Sequence, residues 1–202
     1  MRWLLSSGGE GDERFAGVLT SPGQKGVPGW IREGGEWAAD NQAYTQGFDE
    51  GVFFPWLDGM LGWREKCLFV AVPDVVGDAR ATIEGYWRWM GHFTGWPIAF
   101  VAQDGQEGLE FPGDEWQVLF VGGTTKWKEG VGALECIKRA QGMGKGIHIG
   151  RVNDPRRYRL FRQIKGSEGF TCDGTKQRYI GIERAKEHWA GIQERTHVME
   201  LF

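Results

Sequence analysis

The chain has 202 residues, 41% of them hydrophobic and 25% charged, with a formal net charge of −3. That length suits a single domain, residues 1–202, with a sizeable core, and the composition is that of an ordinary soluble globular protein. A net charge this small announces no nucleic-acid partner, and the three cysteines (Cys67, Cys136, Cys172) are too scattered for a disulfide framework or a zinc spacing, which favours a reducing, cytoplasmic setting.

The N-terminal MRWLLSSGGEGDE is too poor in apolar residues for a signal peptide, and no stretch approaches the roughly 20 apolar residues of a membrane span, so no membrane association is expected. Short apolar runs rich in Val, Ile, Phe and Trp then recur along the chain. Their length and their lack of polar alternation predict strands covered on both faces, at 2–6, 36–40, 67–73, 97–103, 118–122, 146–151 and 169–172. The Gly-rich segment 17–35 between the first two reads as a long loop.

Helical patterns separate the later strands. Residues 49–65 read as a helix interrupted by Pro55, and 77–93 as one that starts near the capping Asp78. Residues 128–143 place Leu134, Ile137 and Ala140 at helical spacing. Residues 154–164 open with Asp154 and Pro155, a strong start signal, and a last helix is expected over 176–193.

Strands alternating with helices predict a parallel α/β fold, either an open doubly wound sheet or a compact TIM-like (β/α) barrel. The expectation adopted is the barrel, trimmed or incomplete because only seven strands are counted. In both architectures ligands gather at the carboxyl ends of the strands. The residues ending each run therefore become the rim of one site.

Those ends are polar. Asp40, Asp74 and Asp173 follow or close three of the runs, with Asp104 as a fourth carboxylate; the alternative for each is a turn residue or helix cap. Paired carboxylates suit glycosyl chemistry, one as nucleophile and the other moving a proton. Gly122 and Gly123 follow a strand and let backbone approach a ligand, with N–H groups able to donate to it. Charge is also uneven along the chain. Residues 1–125 hold 8 Lys/Arg against 18 Asp/Glu, whereas residues 126–202 hold 16 against 9. Within the basic half, Lys126, Lys128, Arg151, Arg156 and Arg157 are candidates for a nucleic-acid backbone, the alternative being a solvated helix face. His148 sits inside a strand and reads as a core or supporting group, and the histidines share no metal spacing.

The succession ADNQAY, VPDVVGDA, FVAQDG, LFVGGTTKWK, HIGRVN and CDGT resembles the tRNA-guanine transglycosylases, and within them the short phage-type relatives that put 7-deazaguanine bases into DNA. The resemblance spans roughly residues 36 to 175. It implies that Asp173 is the nucleophile toward the anomeric carbon and Asp40 the acid/base. It implies that Asp74 reads the amino and ring N–H edge of the purine. Gln103, with the backbone of Gly122 and Gly123, would contact the base carbonyl. The implied partners are DNA bearing guanine nucleotides and a free 7-deazaguanine base such as 7-cyano-7-deazaguanine, in the host cytoplasm if the chain is phage-encoded. A protein partner or homo-oligomer stays open. The sequence holds no counterpart of the three-cysteine, one-histidine zinc site of the tRNA enzymes, so neither a metal nor another cofactor is expected. A nucleotide or nucleoside glycosidase, a tRNA enzyme of the same type and a non-catalytic nucleic-acid-binding subunit are the alternatives.

Overall fold

In β1, Arg2–Leu5, the pleat sends Leu4 to one face and Trp3 and Leu5 to the other, and all three are buried. A strand buried on both faces needs a packed interior on one side and a helical layer on the other. The computed structural model supplies both. It describes residues 1–5, 17–24 and 26–174, with Arg184, Glu187, His188, Ala190 and Gly191 beyond them.

Eight parallel strands close into a barrel in chain order. After β1 come β2 Gly17–Thr20, β3 Trp37–Ala39, β4 Cys67–Ala71, β5 Ile98–Ala102, β6 Val118–Val121, β7 Gly146–Ile149 and β8 Thr171–Asp173. Each pairs with the next. The seam is β1 on β8, with Trp3 opposite Cys172 and Leu4 opposite Asp173. Leu4, Leu19, Ala38, Phe69 and Ala99 form the inner cluster, with Phe120 against it. The outer faces carry Trp3, Trp37, Val70, Phe100, Leu119 and Ile149, which pack with helical residues such as Leu57, Tyr86, Ile137 and Phe161 into the larger core. Trp37, fully buried, packs edge-on to Trp96 at 5.9 Å between ring centroids and donates its indole N–H to Trp63 O at 2.9 Å. A side chain of this size contributes about 3 kcal/mol by leaving water.

The barrel is therefore complete, not trimmed. The strand missed in the sequence is β2, which opens the 17–35 segment expected as a loop. That segment also holds α1, Gly29–Arg32. Next come α2, Ala43–Gln46, and α3, Glu50–Gly59, which carries Pro55 inside it and continues as a 3-10 turn over Leu61–Lys66. α4, Ala79–Trp89, starts on Asp78, whose carboxylate accepts from Ala81 N at 3.0 Å. The helix expected over 128–143 is two elements, α5 Thr125–Lys128 and α6 Val131–Gly142, separated at Gly130. α7, Pro155–Arg162, has the cap foreseen for it, Asp154 accepting from Arg157 N at 2.9 Å with Pro155 in the first turn. The helix expected over 176–193 lies outside the described residues, apart from the five named above. Among the described residues no helix is long and apolar enough to cross a membrane.

Candidate functional site

Parallel strands in one closed barrel bring all their carboxyl ends to one mouth. The pocket there encloses about 620 Å³ of atom-free space, part of it open to solvent. Asp40, Asp74, Gln103, Gly122, Gly123 and Asp173 all line it, joined by Asn41, Tyr44 and Arg151. All six residues assigned to catalysis or base binding in the sequence are thus in one place.

Asp173 ends β8 and is buried. Its Oδ1 accepts from Arg151 N at 2.9 Å and lies 3.2 Å from His148 Nε2. Burial alone would push this carboxyl up. The hydrogen bond from His148, the Arg151 N–H and the Lys128 charge together outweigh burial and hold it below the usual carboxylate range. His148 stands inside the barrel between Phe69 and Phe120, at ring distances of 4.9 and 4.5 Å. Burial keeps its pKa below the ordinary histidine value against the pull of Asp173. An ionised Asp173 can only accept, so Nε2 carries the proton and Nδ1, 2.9 Å from Thr171 Oγ1, accepts from that hydroxyl.

Asp40 follows β3 directly, and its Oδ1 accepts from Gln42 N at 3.0 Å. Burial first, and the negative charge of Asp173 after it, push its pKa to about 6, with the Gln42 N–H opposing. The two carboxyls therefore sit in one pocket with their proton affinities driven in opposite directions. Such a divergence separates a resident anion from a group that can carry a proton near neutral pH.

Asp74 is braced from two sides. Asn41 Nδ2 donates to Oδ1 at 2.8 Å, and Gln103 Nε2 donates to Oδ2 at 2.6 Å. Burial lifts its pKa to about 6, with these two donors pulling down and Asp40 pushing up. The Gln103 amide is itself oriented, because its Oε1 accepts from Gly77 N at 2.9 Å and Gly123 N at 3.0 Å. Nε2 consequently faces Asp74 and keeps a second N–H for a ligand.

The glycine pair serves differently from expectation. Gly122 N–H is already on Ala102 O at 3.0 Å and Gly123 N–H is on Gln103 Oε1, so neither is left to donate to a ligand. What the pair provides is room. A Cβ on Gly122 would stand 2.6 Å from Gln103 Nε2 and 2.8 Å from Val101 Cγ1, and Gly123 has φ +63°. Asp104, the neighbour of Gln103, is a staple. Its oxygens accept from Thr124 N at 2.7 Å and Thr124 Oγ1 at 2.6 Å, tying the turn after β5 to the start of α5.

The basic candidates divide. Lys128 is 2% exposed, with Nζ on Gly150 O at 2.6 Å. Arg157 is largely buried against Glu129 at 2.8 Å and donates to Arg151 O at 2.6 Å. Neither reaches a phosphate, because both point into the protein to hold the 150–152 turn. Lys126 is exposed, and so is Arg156, which makes a 3.2 Å ion pair to Glu129. Arg151 lines the pocket with φ +59°, its guanidinium donating to Gly123 O and lying 4.0 Å over the Tyr44 ring. Tyr44 and Asn41 are the site residues sequence reasoning left without a role, whereas His148, read there as a core or supporting group, is buried and supports Asp173. Tyr44 stood in the quoted ADNQAY segment, and His148 lies on β7, the strand paired with the one that ends in Asp173. Among the described residues there is no cluster of three or more His, Cys, Asp or Glu suited to a metal ion. Compared with family models, with curated proteins and with solved structures, the chain matches none.

Proposed function

We propose that the protein is a DNA-guanine transglycosylase, exchanging guanine for a 7-deazaguanine base through a covalent glycosyl–Asp173 intermediate. The observation that carries this reading is the pairing in one pocket of an Asp173 held ionised with an Asp40 raised to about 6. The resemblance of the strand-end residues to the transglycosylases points the same way.

The chemistry follows from the residues. A carboxylate oxygen of Asp173 attacks the anomeric carbon, the bond to the guanine nitrogen breaks, and Asp40 supplies the proton that lets guanine leave neutral. The incoming base gives its ring N–H proton to Asp40 and bonds to the same carbon, which releases Asp173. Two displacements at one centre retain configuration and need no nucleotide triphosphate. Asp74 has lone pairs left beyond its two braces to accept the adjacent amino and ring N–H groups of a guanine-like base. The second N–H of Gln103 meets the neighbouring carbonyl. The exposed face of Tyr44 offers a stacking surface to a flat base. A base in a duplex must be flipped out to reach a mouth of this kind, and Lys126 and Arg156, both exposed, would hold the backbone.

The test is incubation with DNA and labelled guanine or a 7-deazaguanine, followed by digestion to nucleosides. The expected result is label in nucleoside, absent in Asp173→Asn, together with a covalent protein–DNA adduct in the unmodified protein. Release of free base without incorporation under every base supplied would refute the exchange reading.

A further inference from the structure

Lys128, the last residue of α5, points into the protein. Burying an ammonium costs several kcal/mol, and an apolar side chain would fill the same space without that cost. Its hydrogen bond goes to a carbonyl, Gly150 O, at 2.6 Å. That carbonyl belongs to the peptide unit whose N–H is Arg151 N, the donor to Asp173 Oδ1 at 2.9 Å. In a trans peptide the C=O and N–H point in opposite directions. Lys128 and Asp173 therefore occupy the two ends of one peptide dipole, cation on the oxygen and anion on the hydrogen.

The surrounding contacts hold this peptide in place. Arg151 takes a left-handed φ of +59°, which costs a non-glycine residue about 1 kcal/mol. The turn is held there from outside: Arg157 Nη1 donates to Arg151 O at 2.6 Å, and Val152 N donates to Asp173 O at 2.6 Å. Hydrogen bonds in series polarise one another.

We infer that Lys128 is a positioning residue for Asp173, aiming and strengthening through the 150–151 peptide the N–H that holds the carboxylate. Its catalytic consequence rests on the reading of Asp173 as nucleophile; the linkage itself does not. The groups facing Lys128 are Asp173 and Glu129, which favour its charged form, and Arg151 and Arg157, which oppose it, with His148 beside Asp173. Burial dominates and brings the ammonium to about 7. The hold on Asp173 is therefore strongest below neutrality and relaxes as Lys128 loses its proton.

Nuclear magnetic resonance of the full chain tests this, following the Arg151 amide proton, the Lys128 side-chain nitrogen and the Asp173 carboxyl carbon against pH. In the unmodified protein the Arg151 amide should move upfield in step with Lys128, with a midpoint near 7. In Lys128→Met that step should vanish and Asp173 should titrate at higher pH. In the exchange assay kcat should fall roughly 10- to 100-fold, as when a supporting partner is lost, with KM for the base little changed. Lys128→Arg should recover most of that kcat. An Arg151 amide that ignores the Lys128 titration in the unmodified protein would overturn the inference, as would an unchanged Asp173 titration in folded Lys128→Met. An inactive but properly coupled protein would instead remove the proposed function and leave the linkage standing.

Discussion

Asp40→Asn separates stability from chemistry. The folded Asp40 carboxyl binds its proton more tightly than the unfolded one, with a pKa raised from 3.8 to about 6. Its contribution to stability is therefore fully present below about pH 4 and lost as pH rises through about 6. At pH 8 the ionised group sits in a place that disfavours it, beside the negative Asp173. A difference of about two pKa units corresponds to about 3 kcal/mol. Partial exposure of the group reduces the recoverable part to about 1–2 kcal/mol. Asparagine keeps an oxygen for the Gln42 N–H and removes the charge. In a chain of this size, Asp40→Asn should melt about 4 °C higher than the unmodified protein at pH 8 and at the same temperature at pH 4. On the proposed function, base exchange should meanwhile fall about 100-fold or more, since the proposed general acid/base would be gone. Thermal melts followed by circular dichroism at pH 4, 6 and 8 decide it. A gain as large at pH 4 as at pH 8, or a loss at pH 8, would refute the assignment of burial and Asp173 as the causes.

Two further substitutions probe the base-reading side. Gly122→Ala brings a methyl group to 2.6 Å from Gln103 Nε2, so the amide must shift off Asp74. We expect a loss of about 1–3 kcal/mol in a denaturant titration and a raised KM for the free base, and a variant with native KM would show that Gln103 does not read the base. Gln103→Glu sets a carboxylate where Nε2 now donates to Asp74 at 2.6 Å. Base affinity measured by calorimetry should drop at least about tenfold at pH 8 and recover toward pH 5, where one proton can bridge the pair. Equal weakening at both pH values would argue against that charge repulsion.

Much of the barrel was legible because buried parallel strands leave continuous apolar runs, and six of its rim residues are those that end such runs. β2 escaped notice for a physical reason. GVLT is four residues long among glycines, and it is held as a strand by neighbours on both sides, β1 and β3, rather than by its own pattern. The fate of the lysines was equally hidden. Lys126 and Lys128 lie two positions apart in one stretch, yet one faces solvent and the other the Gly150 carbonyl, a choice made by the turn of α5 and the packing beneath it. Whether Gly123 N–H meets a ligand or Gln103 is likewise a tertiary fact. It follows from β5 and β6 lying in register, Ala102 opposite Val121, which sets the two following turns side by side.

The seam between β1 and β8 has a bearing on folding order. Leu4 stands opposite Asp173, roughly 170 residues along the chain, so this pairing closes the longest loop among the strand pairs. Contacts between such distant segments form slowly, after local ones. The strand that carries Asp173 reaches β7 across a short connection, but its other edge is fixed only when the first and last strands meet. A half-folded chain would hold Asp173 on its β7 side alone, with Leu4 not yet opposite it. On the proposed function, recovery of glycosyl attack during refolding should then lag behind recovery of helix content, because the seam closes last.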